Sequence, residues 1–410
     1  MPRPLRILAI GVGHPWVVQE GTPLRFLGVL RALTTFGSVT YVGVGSDAEP
    51  SPLPPAGLDL AACLGVNERR RHRSRLRYYG WRLLATVGAV LPEPPKTVFD
   101  KRLSELLDLG EFDVVWFMTM GIYERSIGEF VDRPTATIVD LIDWPGEWPG
   151  GPKFKVRELM RLRLVRTSVK ALRRQLNLGV EDRRARRTAA QVSAVVVSKA
   201  PTVAPANLIV VVNSYVACPF VGSRSAKLAP TLLFQGTFGY GPNIEAAHHL
   251  VRTILPELRR ELPAGFSIRL VGRHEQSIRA LEDEPEVTVT GYVDDMASEV
   301  LSADVCVVPL LRGTGTRIKI LEAWSFQTPV VSTSVGADGL GASDGVQLML
   351  ADDPVSFATA CRRVLSEVSL RDQLVRAGHE LLIGRFQGDA VADQVRLAVE
   401  TARRGGVVLS

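Results

Sequence analysis

Asp304-Val305-Cys306-Val307-Val308-Pro309, continued by Leu310-Leu311-Arg312-Gly313-Thr314-Gly315-Thr316-Arg317-Ile318-Lys319-Ile320-Leu321-Glu322-Ala323, reads as a buried strand, a glycine-rich turn and a helix entered near Thr316. The strand is a continuous apolar run without alternation, the pattern of a parallel strand covered on both faces. The same strand–helix unit recurs on either side. Upstream, strands Thr231–Gln235, Ser267–Val271 and Val287–Thr290 lead into helices Asn243–Glu261, His274–Leu281 and Asp294–Ser302. Downstream, strand Pro329–Ser332 closes the series, and helices Pro354–Glu367, Leu370–Arg385 and Asp389–Arg404 follow.

The first half carries a looser version of this alternation. The run Leu5–Ile10 breaks at Gly11-Val12-Gly13, and a helical pattern follows from about Glu20 to Phe36. Val39–Val44, Phe112–Phe117, Thr135–Asp140, Ser193–Ser198 and Ile209–Val212 are further strands, and an arginine-rich helical stretch runs from Pro152 to Ala190. Cys218–Pro230, with Pro219, Gly222, several serines and Pro230, has a linker composition. The chain is therefore expected to be an α/β protein with two doubly wound parallel sheets: a first domain over 1–218, a linker over 219–228 and a second domain over 229–388. A single large barrel is the alternative, and the linker counts against it.

Composition narrows the class. The 410 residues suffice for two or three domains at roughly 150 residues each. With 46% hydrophobic and 22% charged residues the chain is ordinary globular protein, not a disordered or fibrous one. Its longest apolar runs fall well short of the roughly 20 residues of a membrane span, and no signal peptide is visible, so a cytoplasmic protein is expected. Cys63, Cys218, Cys306 and Cys361 lie far apart and read as reduced thiols rather than metal ligands. The net charge of +6 is uneven: 69–82 holds seven arginines and no acid, and 153–187 holds thirteen basic residues against three acids. These segments are either solvated helix faces or a patch for an anionic acceptor or an anionic membrane surface, the last of which would place the protein peripherally at the inner face of the membrane. Nucleic acid is not expected as a partner, because interleaved aromatics and a known binding module are missing.

The turn after Pro309 carries the chemistry. Free backbone N–H groups and the positive end of the helix dipole make it an anion site. Arg317 and Lys319 add two cations suited to a diphosphate, and Glu322, one turn on, is placed to accept hydrogen bonds from sugar hydroxyls. The competing reading is an ordinary helix start with Lys319 and Glu322 paired at i, i+3. Gly11 and Gly13 lack the third glycine and the acidic residue of a dinucleotide fingerprint, so a nicotinamide dehydrogenase is not expected. The phosphate loop of nucleotide hydrolases is missing from the sequence.

Phe234-Gln235-Gly236-Thr237-Phe238-Gly239-Tyr240-Gly241-Pro242-Asn243-Ile244-Glu245-Ala246, Leu270-Val271-Gly272, Val289-Thr290-Gly291-Tyr292-Val293, Gly313–Ala323 and Pro329–Leu340 occur in one order over about 120 residues. In this the second half resembles the retaining glycosyltransferases of family 4, the group 1 glycosyltransferases, which have the GT-B fold. The resemblance implies two Rossmann-like domains facing a central cleft, with the last helix, about 389–410, crossing back to the first domain. It implies a nucleotide-diphosphate sugar as donor substrate, with no cofactor and no metal. Glu322 would hold the ribose, and the Tyr292-Val293 segment would meet the base. Gly236, Thr237, Gly272, Gly315 and Thr316 would complete the donor site, while Arg317 and Lys319 would neutralise the leaving diphosphate. Asp294-Asp295 and Asp352-Asp353 then read as helix caps.

Two positions depart from the pattern. Thr314 stands where family members often carry a glutamate, and no basic residue occurs from Gln235 to Val251, where many carry an Arg/Lys pair. Arg317 and Lys319 are read as substituting for that pair. On the acceptor side, His14 and Gly21-Thr22 follow the first strand, and Asp140 and Asp143 end another strand of the same sheet. These residues would orient the acceptor hydroxyl, with the donor phosphate as base. Trp144, Trp148 and Phe154 either line an acceptor pocket or pack the loop. The acceptor itself is open among a saccharide, a lipid-linked saccharide and a small-molecule natural product. Against the transferase stand a catalytically silent scaffold and a related enzyme such as an epimerase or phosphorylase.

Overall fold

The computed structural model describes residues 3–16, 21–45, 53–66, 68–69, 98–99, 112–124, 135–144, 179, 181–220, 229–313 and 317–405. They form two compact units. One holds the described residues up to Ser214 together with those from Val391 onward, and the other holds Tyr215–Ala390.

In the first unit, β1 (Leu5–Val12), α1 (Gly21–Thr34), β2 (Gly37–Val44) and β3 (Ala62–Val66) open the chain, and β4 (Glu68–Arg69) pairs antiparallel with β5 (Val98–Phe99). Strands β6 (Val114–Phe117), β7 (Ala136–Ile142), β8 (Ala194–Val197) and β9 (Leu208–Val210) complete a seven-stranded parallel sheet of order β3-β2-β1-β6-β7-β8-β9. Its central strands are apolar because both faces are covered: all four residues of β6 and of β8 are buried. Helix α2, residues 181–191, seals one face through Ala185 and Ala189, which pack among Leu8, Phe117, Val139 and Trp144.

The second unit has six parallel strands in the order β12-β11-β10-β13-β14-β15. They are β10 (Thr231–Gln235), β11 (Ser267–Val271), β12 (Val287–Gly291), β13 (Val305–Val308), β14 (Val330–Ser332) and β15 (Met349–Leu350). The chain winds outward from β10 in one direction and then from β13 in the other, so the connections diverge at the β10/β13 junction. In such sheets ligands bind at that switch point, outside the carboxyl ends of the strands.

Most elements follow the sequence reading; the short β4 and β5 were not expected, and four further differences stand out. Helix Asn243–Glu261 is two segments, α3 (Gly241–His249) and α4 (Leu255–Glu261), joined by a π-turn over Leu250–Ile254. Pro256 lacks the N–H that an unbroken α-helix needs there. The expected helix His274–Leu281 is two short 3₁₀ stretches, Glu275–Ser277 and Arg279–Asp283, because the chain enters them through a left-handed His274 (φ 64°). Strands β3 and β15 at the sheet edges were not legible as apolar runs. The helix after β13, α6 (Ile318–Ser325), starts two residues later than expected; α5 (Met296–Ser302) precedes β13.

The remaining helices are α7 (Ser334–Ala337), α8 (Pro354–Ser366), α9 (Val368–Phe386) and α10 (Gly388–Arg404). From Val391 onward α10 packs in the first unit through Val391, Val395, Ala398, Val399 and Ala402. There Gln394 Oε1 accepts from the Val212 amide at 2.9 Å. Asp295 caps α5 and Asp353 caps α8 as expected, while Asp352 receives the Ser334 amide at 2.7 Å.

Candidate functional site

At the β10/β13 junction of the second unit the loops after β10, β11 and β12 are tied together. Gly236 N donates to Val271 O at 3.0 Å and Gly272 N to Gly291 O at 2.7 Å. Gly272 has φ 147°, and a Cβ there would lie 1.9 Å from Gly236 O, so neither strain nor space admits a side chain. Beside this knot Arg317 precedes the first turn of α6, and its own side chain makes no capping hydrogen bond there. The expected cations meet here. Lys319 Nζ donates to Asn243 Oδ1 at 2.9 Å and lies 4.5 Å from the centre of the Phe234 ring. Arg317 is buried and donates to Val335 O at 3.2 Å. Burial and the neighbouring Arg317 push Lys319 down to about 7. An anion brought to this helix start would relieve that penalty.

Glu322 lies one turn along α6 and is held from two sides. Tyr215 Oη donates to its Oε1 and Gln235 Nε2 to its Oε2, both at 2.7 Å. Burial raises the carboxyl against the pull of these donors, and the Tyr215 phenol is raised by burial and by Glu322. Gln235 Oε1 is buried without a hydrogen-bond partner among the described residues. Tyr215 opens a strap over residues 215–220 that is stitched to α6, the turn after it and α9: Ser325 Oγ donates to Val216 O at 2.8 Å, Gln327 Nε2 to Pro219 O at 2.7 Å, and Tyr215 N to Phe386 O at 2.9 Å. The sequence reading ends the first domain at 218 and gives 219–228 to the linker, yet residues 215–220 belong to the second unit; residues 221–228 lie outside the described residues. Tyr292, 56% exposed, carries the Arg273 guanidinium 4.5 Å from its ring centre. Among the expected donor residues, Gly315 and Thr316, with the departure at Thr314, lie outside the described residues.

In the first unit the loop after β1 packs tightly. His14 is 7% exposed, in tilted contact with Trp16 and Tyr41, and burial lowers its pKa. Tyr41 Oη donates to Gly13 O at 2.7 Å, and a Cβ on Gly11 would lie 2.4 Å from that phenol oxygen. Gly11 therefore makes room for Tyr41, while Gly13 supplies the carbonyl that the phenol meets and has φ 55°. Gly21 and Thr22 form the start of α1, while Glu20 lies outside the described residues.

Asp140 does not face an acceptor: it is fully buried and doubly engaged by Arg25, itself 1% exposed, at 2.9–3.2 Å. Arg25 also donates to Val211 O at 2.6 Å and Asn213 Oδ1 at 2.9 Å, and the Ile142 amide donates to Asp140 at 2.8 Å. A charge so buried is held only by full pairing, so Asp140 is a framework group. Asp143 differs. It follows a three-residue turn in which Ile142 has φ 65°, a strained value for a β-branched residue, and Asp143 N donates to Leu141 O at 2.7 Å. Its Oδ1 accepts from Ser198 Oγ at 2.8 Å, so β7 and β8 jointly aim the carboxylate.

Trp144 packs in the core and donates to Asp182 at 2.7 Å, which settles it as loop packing; Trp148 and Phe154 lie outside the described residues. Most of both basic segments lies outside them too. In the part of 153–187 that is described, Arg184 pairs with Glu124 and Glu181, and Arg186 with Asp182. Among the described residues no cluster of His, Cys, Asp or Glu could hold a metal ion, and no helix is long and apolar enough to cross a membrane.

The sequence reading quoted Gln235 and Asn243 only as part of a motif and missed Tyr215. Asn243, directly after Pro242 at a helix start, offered a faint signal; Tyr215, 107 positions from Glu322, offered none.

Comparison with known proteins bears on this arrangement. Residues 229–367 match the family described as "Glycosyl transferases group 1". The chain is 33% identical over 109 residues to the lipopolysaccharide core biosynthesis glycosyltransferase LpsE of Rhizobium meliloti, covering 26% of this chain and 32% of that protein. It is 33% identical over 120 residues to the phosphatidyl-myo-inositol mannosyltransferase of Mycobacterium leprae, covering 28% and 32%. The chain thus spans about a third of the length of the curated relatives it matches. Among solved structures, Anabaena HepE in complex with UDP aligns over 97% of this chain and all of its own, with TM-score 0.57 and 13% identity. Sucrose-phosphate synthase from Thermosynechococcus elongatus aligns over 96% and 98%, with TM-score 0.60 and 13% identity. The fold is GT-B, and within the second unit it is residues 229–367 that match the group 1 glycosyltransferase model.

Proposed function

We propose that this protein is a retaining glycosyltransferase of family 4 that moves a sugar from a nucleotide-diphosphate donor to an acceptor hydroxyl. The observation that carries this is the start of α6. Two cations, a helix start and a half-buried carboxylate one turn on lie together at the switch point of the sheet. In this reading the diphosphate lies over the first turn of α6 near Arg317 and Lys319, which take up the charge as the glycosidic bond breaks. The ribose hydroxyls donate to Glu322, whose position Tyr215 and Gln235 hold, and the base lies near Tyr292. The first unit supplies the acceptor site through His14, Gly21, Thr22 and Asp143. Arg317 and Lys319 carry the leaving-group charge without a divalent metal. HepE was crystallised with UDP, which makes UDP the first donor nucleotide to try. The matched regions of LpsE and the mannosyltransferase favour an envelope saccharide or a lipid-linked one as acceptor over a natural product. A silent scaffold draws no support from these comparisons.

The test is a thermal-shift screen with UDP, GDP, dTDP and ADP on wild type and Glu322→Ala. Saturation at 100 times the dissociation constant stabilises by about 2.7 kcal/mol. One nucleotide is expected to raise the melting temperature of the wild type and to lose its effect in Glu322→Ala. No shift with any of the four overturns the donor site.

A further inference from the structure

We propose that Asn243 is the positioning residue of this site, holding the Lys319 ammonium over the diphosphate position; the inference rests on the donor reading above. Four observations converge. The Asn243 amide is oriented from outside the pair, because its Nδ2 donates to Thr237 O at 3.0 Å, which leaves Oδ1 turned to Lys319 Nζ at 2.9 Å. Asn243 is itself buried, on the third residue of α3. The Phe234 ring lies against the ammonium at 4.5 Å, so one direction is closed by a π face and another by the amide oxygen. Finally, Gly236 is where the pair needs space: a Cβ there would lie 2.7 Å from Asn243 Nδ2 and 3.2 Å from Lys319 Nζ.

The choice of a neutral acceptor has a consequence. An aspartate at 243 would hold the lysine equally well but would cancel its charge toward a phosphate. An amide fixes the ammonium while leaving its charge for the ligand. The groups around Lys319 agree with this. Arg317 of α6 is the cation beside it; α3 presents Asn243, and β10 presents Phe234 and the Gln235–Gly236 backbone. Glu322 directs its oxygens to Tyr215 and Gln235, and Glu245 of α3 pairs with Arg312. Lys319 consequently sits poised, with a depressed pKa of about 7, to take up charge as the diphosphate arrives.

The experiment follows Lys319 directly. In protein labelled with ¹³Cε-lysine, which has only eight lysines, the Lys319 signal is assigned with Lys319→Arg and titrated in wild type, Asn243→Asp and Asn243→Ala. Asn243→Asp is expected to move the Lys319 midpoint up by about 1–3 units, the effect of an adjacent opposite charge. Asn243→Ala is expected to move it down, because the ammonium loses its acceptor. In parallel, UDP affinity of the wild type should fall about tenfold per pH unit above the midpoint. For Asn243→Asp the affinity should be lower at pH 6, yet its falling limb should shift alkaline. A purely structural role would lower affinity at every pH and leave the limb in place. If neither variant moves the Lys319 midpoint, the proposal is overturned; should Asn243→Asp fail to fold, Asn243→Ala decides alone. Because the titration needs no nucleotide, a failure of UDP, GDP, dTDP and ADP alike to bind sinks the donor reading and leaves the Asn243–Lys319 test standing.

Discussion

Arg25→Met is expected to cost the first unit about 3–5 kcal/mol, because it leaves the Asp140 carboxylate buried and without its counter-charge. The loss goes beyond one ion pair. Arg25 also satisfies Val211 O and Asn213 Oδ1, so the substitution would orphan acceptors near the ends of β7 and β9. Hydrogen exchange read by mass spectrometry should show β7, β8 and β9 losing protection while β10 to β15 keep theirs. The double variant Arg25→Met with Asp140→Leu removes both charges and should regain much of the loss, since buried pairs replaced by apolar groups are often near neutral. If Arg25→Met alone leaves exchange unchanged, Asp140 is not a framework group, and its acceptor role returns to consideration.

Arg317→Met should lower turnover by about 10²–10³-fold, the range found for removing one preorganised charge-stabilising donor, with a smaller effect on the Michaelis constant. Lys319→Met should do the same below pH 7 and progressively less above it, because the wild-type amine itself loses its proton there. The same group gives stability the opposite trend. Its folded pKa of about 7 lies below the ordinary lysine value of 10.5, so between the two the unfolded chain binds more protons, and stability rises with pH across that window. Melting temperature and UDP affinity should therefore move in opposite directions from pH 7 upward. In Lys319→Met this part of the stability rise should vanish. A turnover loss that persists undiminished at pH 9 would count against charge as the function of Lys319.

The part of this that local sequence carried is traceable residue by residue. Parallel strands such as Val114–Phe117 and Val305–Val308 are apolar throughout because they are covered on both faces, and that marks them before any fold is known. The glycine turn and the basic residues of α6 stand within one short segment, so their grouping was legible too. Edge strands β3 and β15 were not, since an edge strand needs only a few residues and can contain a glycine. The 3₁₀ stretches after β11 escaped because a left-handed His274 is a backbone decision without a compositional mark.

Asp140 and Asp143 show where the boundary lies. Both end the same strand, three residues apart, and nothing local tells them apart. Only in the folded unit does Arg25, 115 positions away, claim the first, while a strained Ile142 and Ser198 aim the second. The sequence alone determined the α/β class, the two-sheet plan and the helix that carries the cations, because these rest on periodicity and short-range composition. Which carboxylate is framework, which amide holds Lys319 and what grips Glu322 were decided by tertiary structure. Those roles depend on hydrogen-bond partners 76 to 115 residues distant, brought within 3 Å only when each unit folds.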